Sequence, residues 1–174
     1  MRIFIALLFL IFSQSGHSAK PIYNVELLFF SQHSGSVEQF PSYPGSPDMS
    51  AGTKPLGSQR GFTVIRGGRL AGIRKRLERA AGYTPIHLLA WRQPLPNHTA
   101  PKPAKVDIHT PSGKRIVGTV AMGRSKYAVL RVDVMLQESG QAYRIVDEIR
   151  MQRNEIHYMD HPKMGILATI TKIK

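Results

Sequence analysis

The 174-residue sequence contains no cysteine, only one tryptophan, and few acidic side chains beside its many basic ones. Without cysteine it has no disulfide, no thiol nucleophile and no lipid-attachment residue, so its fold must rest on buried apolar area. The longest apolar run, from Ile3 to Phe12, is shorter than the roughly 20 residues that a membrane-spanning helix needs. These absences exclude a disulfide-stapled scaffold, a cysteine hydrolase and a lipid-anchored protein.

The first residues have the pattern of a secretory signal peptide. Arg2 precedes the apolar run, and small and polar residues follow it up to Ala19. We therefore assign residues 1–19 to a signal peptide and residues 20–174 to a single mature domain. We expect this domain to be periplasmic and not inserted in a membrane.

The sequence is strongly basic, with 24 Lys and Arg against 11 Asp and Glu, a net charge of +13. Such a balance is typical of proteins that bind nucleic acid or an anionic surface, and export removes access to nucleic acid. The remaining partners are polyanions of the cell envelope. They include peptidoglycan with its peptide carboxylates, lipopolysaccharide, anionic lipid and acidic proteins, and charge alone does not choose among them.

Apolar periodicity predicts the fold. Residues 21–32, 86–95, 105–110, 115–122, 126–136 and 142–152 read as strands, and the fifth alternates most clearly, with Ala128, Leu130, Val132, Val134 and Leu136 facing inward. Residues 68–82 predict one amphipathic helix, with Leu70, Ile73, Leu77 and Ala81 on one stripe, closed by Gly82 and stopped by Pro85. Short turns between the strands favour antiparallel neighbours. The prediction is a single α+β domain, an antiparallel meander with one amphipathic helix packed on it.

Residues 31–61 are rich in Ser, Gly and Pro and show no apolar period. This composition predicts a long loop.

The segment EIHYMDHPKMGILATI, residues 155–170, holds the densest group of polar side chains: Glu155, His157, Asp160 and His161. On a helix, His157 and His161 would share a face suited to a divalent metal. The surrounding residues favour strands, and Pro162 does not allow a helix to continue. We therefore favour a hairpin turn capped by Asp160. The alternative is a metal-dependent cell-envelope hydrolase that would need a third, distant ligand.

Other catalytic motifs are absent from the sequence: it has no GxSxG, no SxxK and no Gly-rich phosphate loop. The single tryptophan, Trp91, has two possible roles. Its ring could stack on a sugar, or it could belong to the core, and its leucine neighbours favour the core.

Three segments resemble the signature blocks of a known family: YNVELLFFSQ, YTPIHLLAWRQPL and RMQRNEIHYMDHPKMGILATIT. In sequence and order they are similar to the CsiV family of periplasmic peptidoglycan-binding proteins. The resemblance implies a non-enzymatic protein without cofactor or metal. It also implies a role in cell-wall synthesis and cell shape, together with an outer-membrane lipoprotein activator of a class A penicillin-binding protein.

Mapped onto this chain, the family blocks give ten candidate ligand-binding residues. They are His87, Trp91, Arg92, Arg150, Arg153, Glu155, His157, Tyr158, Asp160 and His161. The same residues could form a buried polar network that fixes strand register, and the sequence leaves both roles open. Adhesion to lipopolysaccharide or anionic lipid by charge alone is a third hypothesis, in which any polyanion should compete equally.

Overall fold

The computed structural model describes residues 20–33, 42–43, 45–47, 49 and 54–173. The predicted signal peptide lies outside these residues, as does much of the predicted loop of residues 31–61. At the ends of that loop segment, Ser31 and Gln32 belong to the first strand and Leu56–Ser58 forms a turn of 3-10 helix.

Ten strands and one α-helix are found in the described residues. They are β1 (Ile22–Gln32), β2 (Lys54–Pro55), β3 (Thr63–Val64), α1 (Arg69–Leu77), β4 (Tyr83–Pro94), β5 (Ala104–His109), β6 (Arg115–Arg124), β7 (Ala128–Glu138), β8 (Gln141–Met151), β9 (Ile156–His161) and β10 (Met164–Lys172). The strands form two sheets, ordered β3-β4-β1-β10-β9 and β2-β5-β6-β7-β8. All pairs are antiparallel except β2 with β5.

The predicted meander describes only one of these two sheets. Strands β5 to β8 follow one another as antiparallel neighbours, as the short turns indicated. Strands β1, β4, β9 and β10 form a separate sheet in which residues distant in sequence pair, such as Phe29 with His87 and Ile166. A mostly antiparallel structure with one helix is compatible with the predicted α+β domain.

The core lies between the two sheets. The five β7 residues predicted to face inward are all buried in it. From the other sheet, alternate residues of β1, β4 and β10 join the same cluster: Val25, Leu27, Phe29, Leu89, Trp91, Ile166, Ala168 and Ile170. Period-two alternation therefore predicted which face of β7 is buried.

Helix α1 lies against β4 and β1 and is shorter than predicted. Leu70 is buried and Ile73 and Leu77 are half-buried, but Ala81 is exposed beyond the helix end. Pro85 does not stop the helix as predicted. It lies within β4, opposite Phe30, where the β1–β4 pairing shifts register, and a proline without an N–H is tolerated at such a bulge.

A buried carboxylate from the sheet caps the helix. The Glu26 side chain, in β1, accepts hydrogen bonds from the backbone N–H groups of Arg69 and Leu70, both at 3.0 Å. The residue at the N-cap position, Gly68, has no side chain to do this. Glu26 is only 2% exposed, so its charge meets the positive end of the helix dipole away from water.

We expect Glu26→Ala to lower the free energy of unfolding by about 2 kcal/mol, because two backbone N–H groups, one buried and one part-buried, lose their acceptor. Urea unfolding measures the loss. Glu78→Ala is the matched control, since it removes a carboxylate from the same helix that only forms an exposed pair with Arg74, worth about 0.3–0.5 kcal/mol. Equal losses for the two variants would contradict the capping role.

Candidate ligand-binding cleft

The structure distributes the ten candidate residues over three places. The first is β4, the second is a cleft beside the β8–β9 connection, and the third is the β9–β10 hairpin. His87, Trp91 and Arg92 lie in β4; Arg150, Arg153, Glu155 and His157 lie in the cleft; Tyr158, Asp160 and His161 lie toward the hairpin.

The β4 residues do not form a common site. Trp91 has no exposed surface, and its Nε1 donates to Oε1 of buried Gln93 at 2.7 Å, so its ring offers no face to a ligand. Arg92 is exposed and its Nε donates to Asn24 Oδ1 at 3.1 Å. His87 is half-buried, and this burial, followed by the charge of Arg74, lowers its pKa below the usual 6.5. The tryptophan therefore occupies the core position that its leucine neighbours favoured.

The hairpin at the end of the chain is confirmed, with Pro162 and Lys163 joining β9 to β10. The expectation that Asp160 caps the turn is wrong. Nδ1 of His161 accepts the N–H of Lys163 at 3.2 Å, and burial lowers the pKa of His161. Asp160 instead accepts hydrogen bonds from the Tyr158 hydroxyl at 2.5 Å and Gln32 Nε2 at 2.7 Å. Burial and then Asp160 raise the pKa of Tyr158 to about 12.

The geometry of β9 does not support the metal-site alternative. His157 and His161 are four residues apart on a strand, which separates them by roughly 13 Å at about 3.3 Å per residue. Nε2 of His157 also accepts the backbone N–H of Gln152 at 3.0 Å. Among the described residues, no group of three or more His, Asp or Glu side chains is placed to hold a metal ion.

A cleft of about 780 Å³ lies where the β6–β7 turn, the end of β8 and the β8–β9 connection meet. Four cationic side chains line it: Arg124, Lys126, Arg150 and Arg153. The apolar part of its lining comes from β1, β7, β8 and β10, through Tyr23, Ala128, Met151 and Ile170. Glu155 is the one carboxylate among its lining residues. The cleft therefore concentrates positive charge above a floor of largely buried apolar side chains.

The cleft cations differ in their partners from three arginines on neighbouring parts of the same sheet. Arg115, Arg131 and Arg144 form ion pairs with Asp107, Glu148 and Asp133. None of the ion pairs found in the described part of the chain includes a cation of the cleft. Among the described residues, the four cations of the cleft thus lie beside one lining carboxylate, Glu155, and form no ion pair with it.

Aromatic and carbonyl groups hold the cleft cations instead. Lys126 and Arg150 both lie over the ring of Tyr127. Nη1 of Arg124 donates to the hydroxyl of Tyr23 at 3.1 Å and to the carbonyl of Leu95 at 3.3 Å. Such contacts orient a cation and leave its charge available to an anionic ligand.

Sequence reasoning found two of the four cations of this site, Arg150 and Arg153, together with Glu155 and His157. It missed Arg124, which reads only as part of a turn signal, and Lys126, which reads as the start of a strand. Their place opposite the β8–β9 connection depends on the pairing register of β6, β7 and β8, which the sequence does not display.

The fold and the cleft define a β-sheet protein with a basic surface cleft. The model of the family described as "Peptidoglycan-binding protein, CsiV" matches residues 2–173, nearly the whole chain. The chain belongs to the CsiV family. This membership indicates a location in the cell envelope and suggests a binding, non-enzymatic role. No helix in the described residues is long and apolar enough to span a membrane. Searches of curated proteins and of solved structures give no match.

Proposed function

We propose that this protein is a non-enzymatic periplasmic protein that binds peptidoglycan through the basic cleft. The observation that carries the proposal is a group of four cations that form no ion pair within the described residues and lie above largely buried apolar side chains: Arg124, Lys126, Arg150 and Arg153. Peptidoglycan presents the complementary groups, because its short peptides carry carboxylates beside small apolar side chains. Membership of the CsiV family supports this choice among the anionic polymers of the envelope.

We further propose that binding serves the regulation of cell-wall synthesis and of cell shape. The partner would be an outer-membrane lipoprotein activator of a class A penicillin-binding protein, as the family resemblance implies. A binding protein acts in such a system by bringing its partner to the polymer, which raises the partner's effective concentration there. If the regulatory proposal is correct, the protein should change the rate of a purified synthase only when the activator is also present.

We expect the mature domain, residues 20–174, to sediment with purified insoluble sacculi at physiological salt. Arg150→Ala with Arg153→Ala should weaken retention about tenfold or more, because two unpaired cations each contribute roughly 1 kcal/mol to contacts with carboxylates. Raising the salt concentration should weaken retention of the unchanged domain, since these contacts are partly open to water. The bound fraction, measured over a range of sacculus concentrations, tests both expectations.

The matched control is Lys75→Ala with Arg79→Ala. Both residues are exposed near the end of α1, so the control removes the same charge from a surface outside the cleft. Retention should then stay close to that of the unchanged domain. Equal loss in both double variants would show attraction by net charge alone. An unchanged domain that remains in the supernatant would refute peptidoglycan as the ligand.

A further inference from the structure

Three aromatic rings form an exposed surface near the hairpin end of β9, on the side of the strand opposite His157. The aromatic platform, as we name it, consists of Phe30, Tyr83 and Tyr158. The Phe30 ring lies 5.8 Å from Tyr83 in an edge contact and 6.1 Å from Tyr158 in a stacked one. Phe30 is only 3% exposed, whereas Tyr83 and Tyr158 are 42% and 49% exposed. The phenylalanine thus supports two tyrosines that remain open to solvent.

A glycine in the backbone beneath the platform leaves the space that these rings occupy. Gly165 of β10 lies under them, and a Cβ there would come within 2.8 Å of both Phe30 and Tyr158. The two rings therefore lie directly on the strand. Any larger residue at position 165 would lift them from it.

Polar groups border the platform and fix the hydroxyl of Tyr158. Gln32 Nε2 donates to the Tyr158 hydroxyl and to Asp160 Oδ1, both at 2.7 Å, and the hydroxyl itself donates to Asp160. Because these bonds already order the side chains, the protein would lose little further side-chain entropy when a ligand binds.

The chemistry of this surface fits a sugar ring better than an anion. A pyranose has an apolar C–H face that packs on an aromatic ring and a rim of hydroxyl groups that bond to amides and carboxylates. Asp160 makes the border of the platform partly negative, which disfavours the peptide carboxylates that suit the cleft. We propose that the aromatic platform is a saccharide site that binds the uncharged sugar face of a glycan strand.

The saccharide site rests on the proposed function in one respect only, which is that peptidoglycan is the natural source of the saccharide. The cleft on one side of β9 takes the anionic peptides, and the platform on the other side takes the glycan. His157 and Tyr158, adjacent in sequence, therefore serve different parts of one polymer.

The test uses tri-N-acetylglucosamine, an uncharged oligosaccharide, titrated into the isotope-labelled mature domain and followed by amide chemical shifts. We expect saturable shifts near Tyr83, Tyr158 and Gly165 that are unchanged by raising the salt concentration. Tyr83→Ala and Tyr158→Ala should each weaken binding about fivefold or more. Tyr158→Phe should weaken it less, because the ring remains.

The control is Tyr43→Ala, which removes an exposed tyrosine that belongs to neither the cleft nor the platform and should leave saccharide binding unchanged. If Tyr158→Ala disturbs the fold, Tyr83→Ala decides the question. The absence of saturable shifts, or shifts that both platform variants leave intact, overturns the proposal. Saccharide binding by a domain that fails to sediment with sacculi would refute the proposed function and leave the platform established. Sedimentation with sacculi without saccharide binding would support the proposed function and refute the platform as a saccharide site.

Discussion

Trp91→Ala should lower the free energy of unfolding by about 3–5 kcal/mol, among the largest losses that a single substitution in this chain can cause. The side chain has no exposed surface and lies in the core between the two sheets. Within its own sheet, Trp91 of β4 pairs with Val25 of β1 on one side and with Val64 of β3 on the other. Its removal leaves a large cavity and deprives buried Gln93 of its hydrogen-bond donor. The midpoint of thermal unfolding should fall by roughly 10 °C for a domain of this size.

Trp91→Phe separates this structural role from ligand contact. Phenylalanine keeps most of the ring volume and loses the Nε1–H, so we expect a loss of about 1–2 kcal/mol and unchanged sedimentation with sacculi. The neighbouring Arg92→Ala should have little effect on stability, because the side chain is exposed. A folded Trp91→Phe domain that no longer sediments with sacculi would contradict a purely structural role and indicate that Trp91 contributes to ligand binding.

Strands and buried faces were predictable from the sequence because both depend on local alternation. Ala128 to Leu136 show the two-residue period directly, and so does the return of β10 after the hairpin. The second sheet was not predictable in this way. The partners of Phe29 are His87 and Ile166, and alternation states which face is buried but not which distant strand lies beside it.

The candidate site was partly predictable for a related reason. The polar residues of 155–161 stood out by composition, and Arg150 and Arg153 by the family resemblance, but a strand sends adjacent side chains to opposite faces. His157 therefore lines the cleft while Tyr158 joins the aromatic platform. The remaining groups of the two surfaces come from β1, β4, β7, β8, β10 and the β6–β7 turn. Their positions follow from sheet pairing, so the sequence could not assign them to these sites.

We expect Gly118→Ala to be more damaging than its size suggests, with a loss of about 3–5 kcal/mol in the free energy of unfolding. Gly118 has φ +151 in β6, opposite Val134 of β7. A Cβ there would overlap the carbonyl oxygen of Asp133 and lie 2.7 Å from Val134 Cα. These are backbone atoms of the paired strand, so no side-chain rotation relieves the overlap. The two strands must separate in the middle of their ladder. Urea unfolding measures the loss.

Two glycines provide matched controls for Gly118→Ala. Gly140 has φ +76 and open space around it, so Gly140→Ala should cost only the backbone strain, about 1 kcal/mol. Gly72 lies within α1 with no atom near its missing Cβ, and Gly72→Ala should stabilise the domain by about 0.5–1 kcal/mol. The predicted order of stability is Gly72→Ala, the unchanged domain, Gly140→Ala and then Gly118→Ala. If the Gly118→Ala and Gly140→Ala domains are equally stable, backbone strain alone accounts for both losses. The overlap of the new Cβ with β7 then costs no free energy of unfolding, which would contradict the prediction.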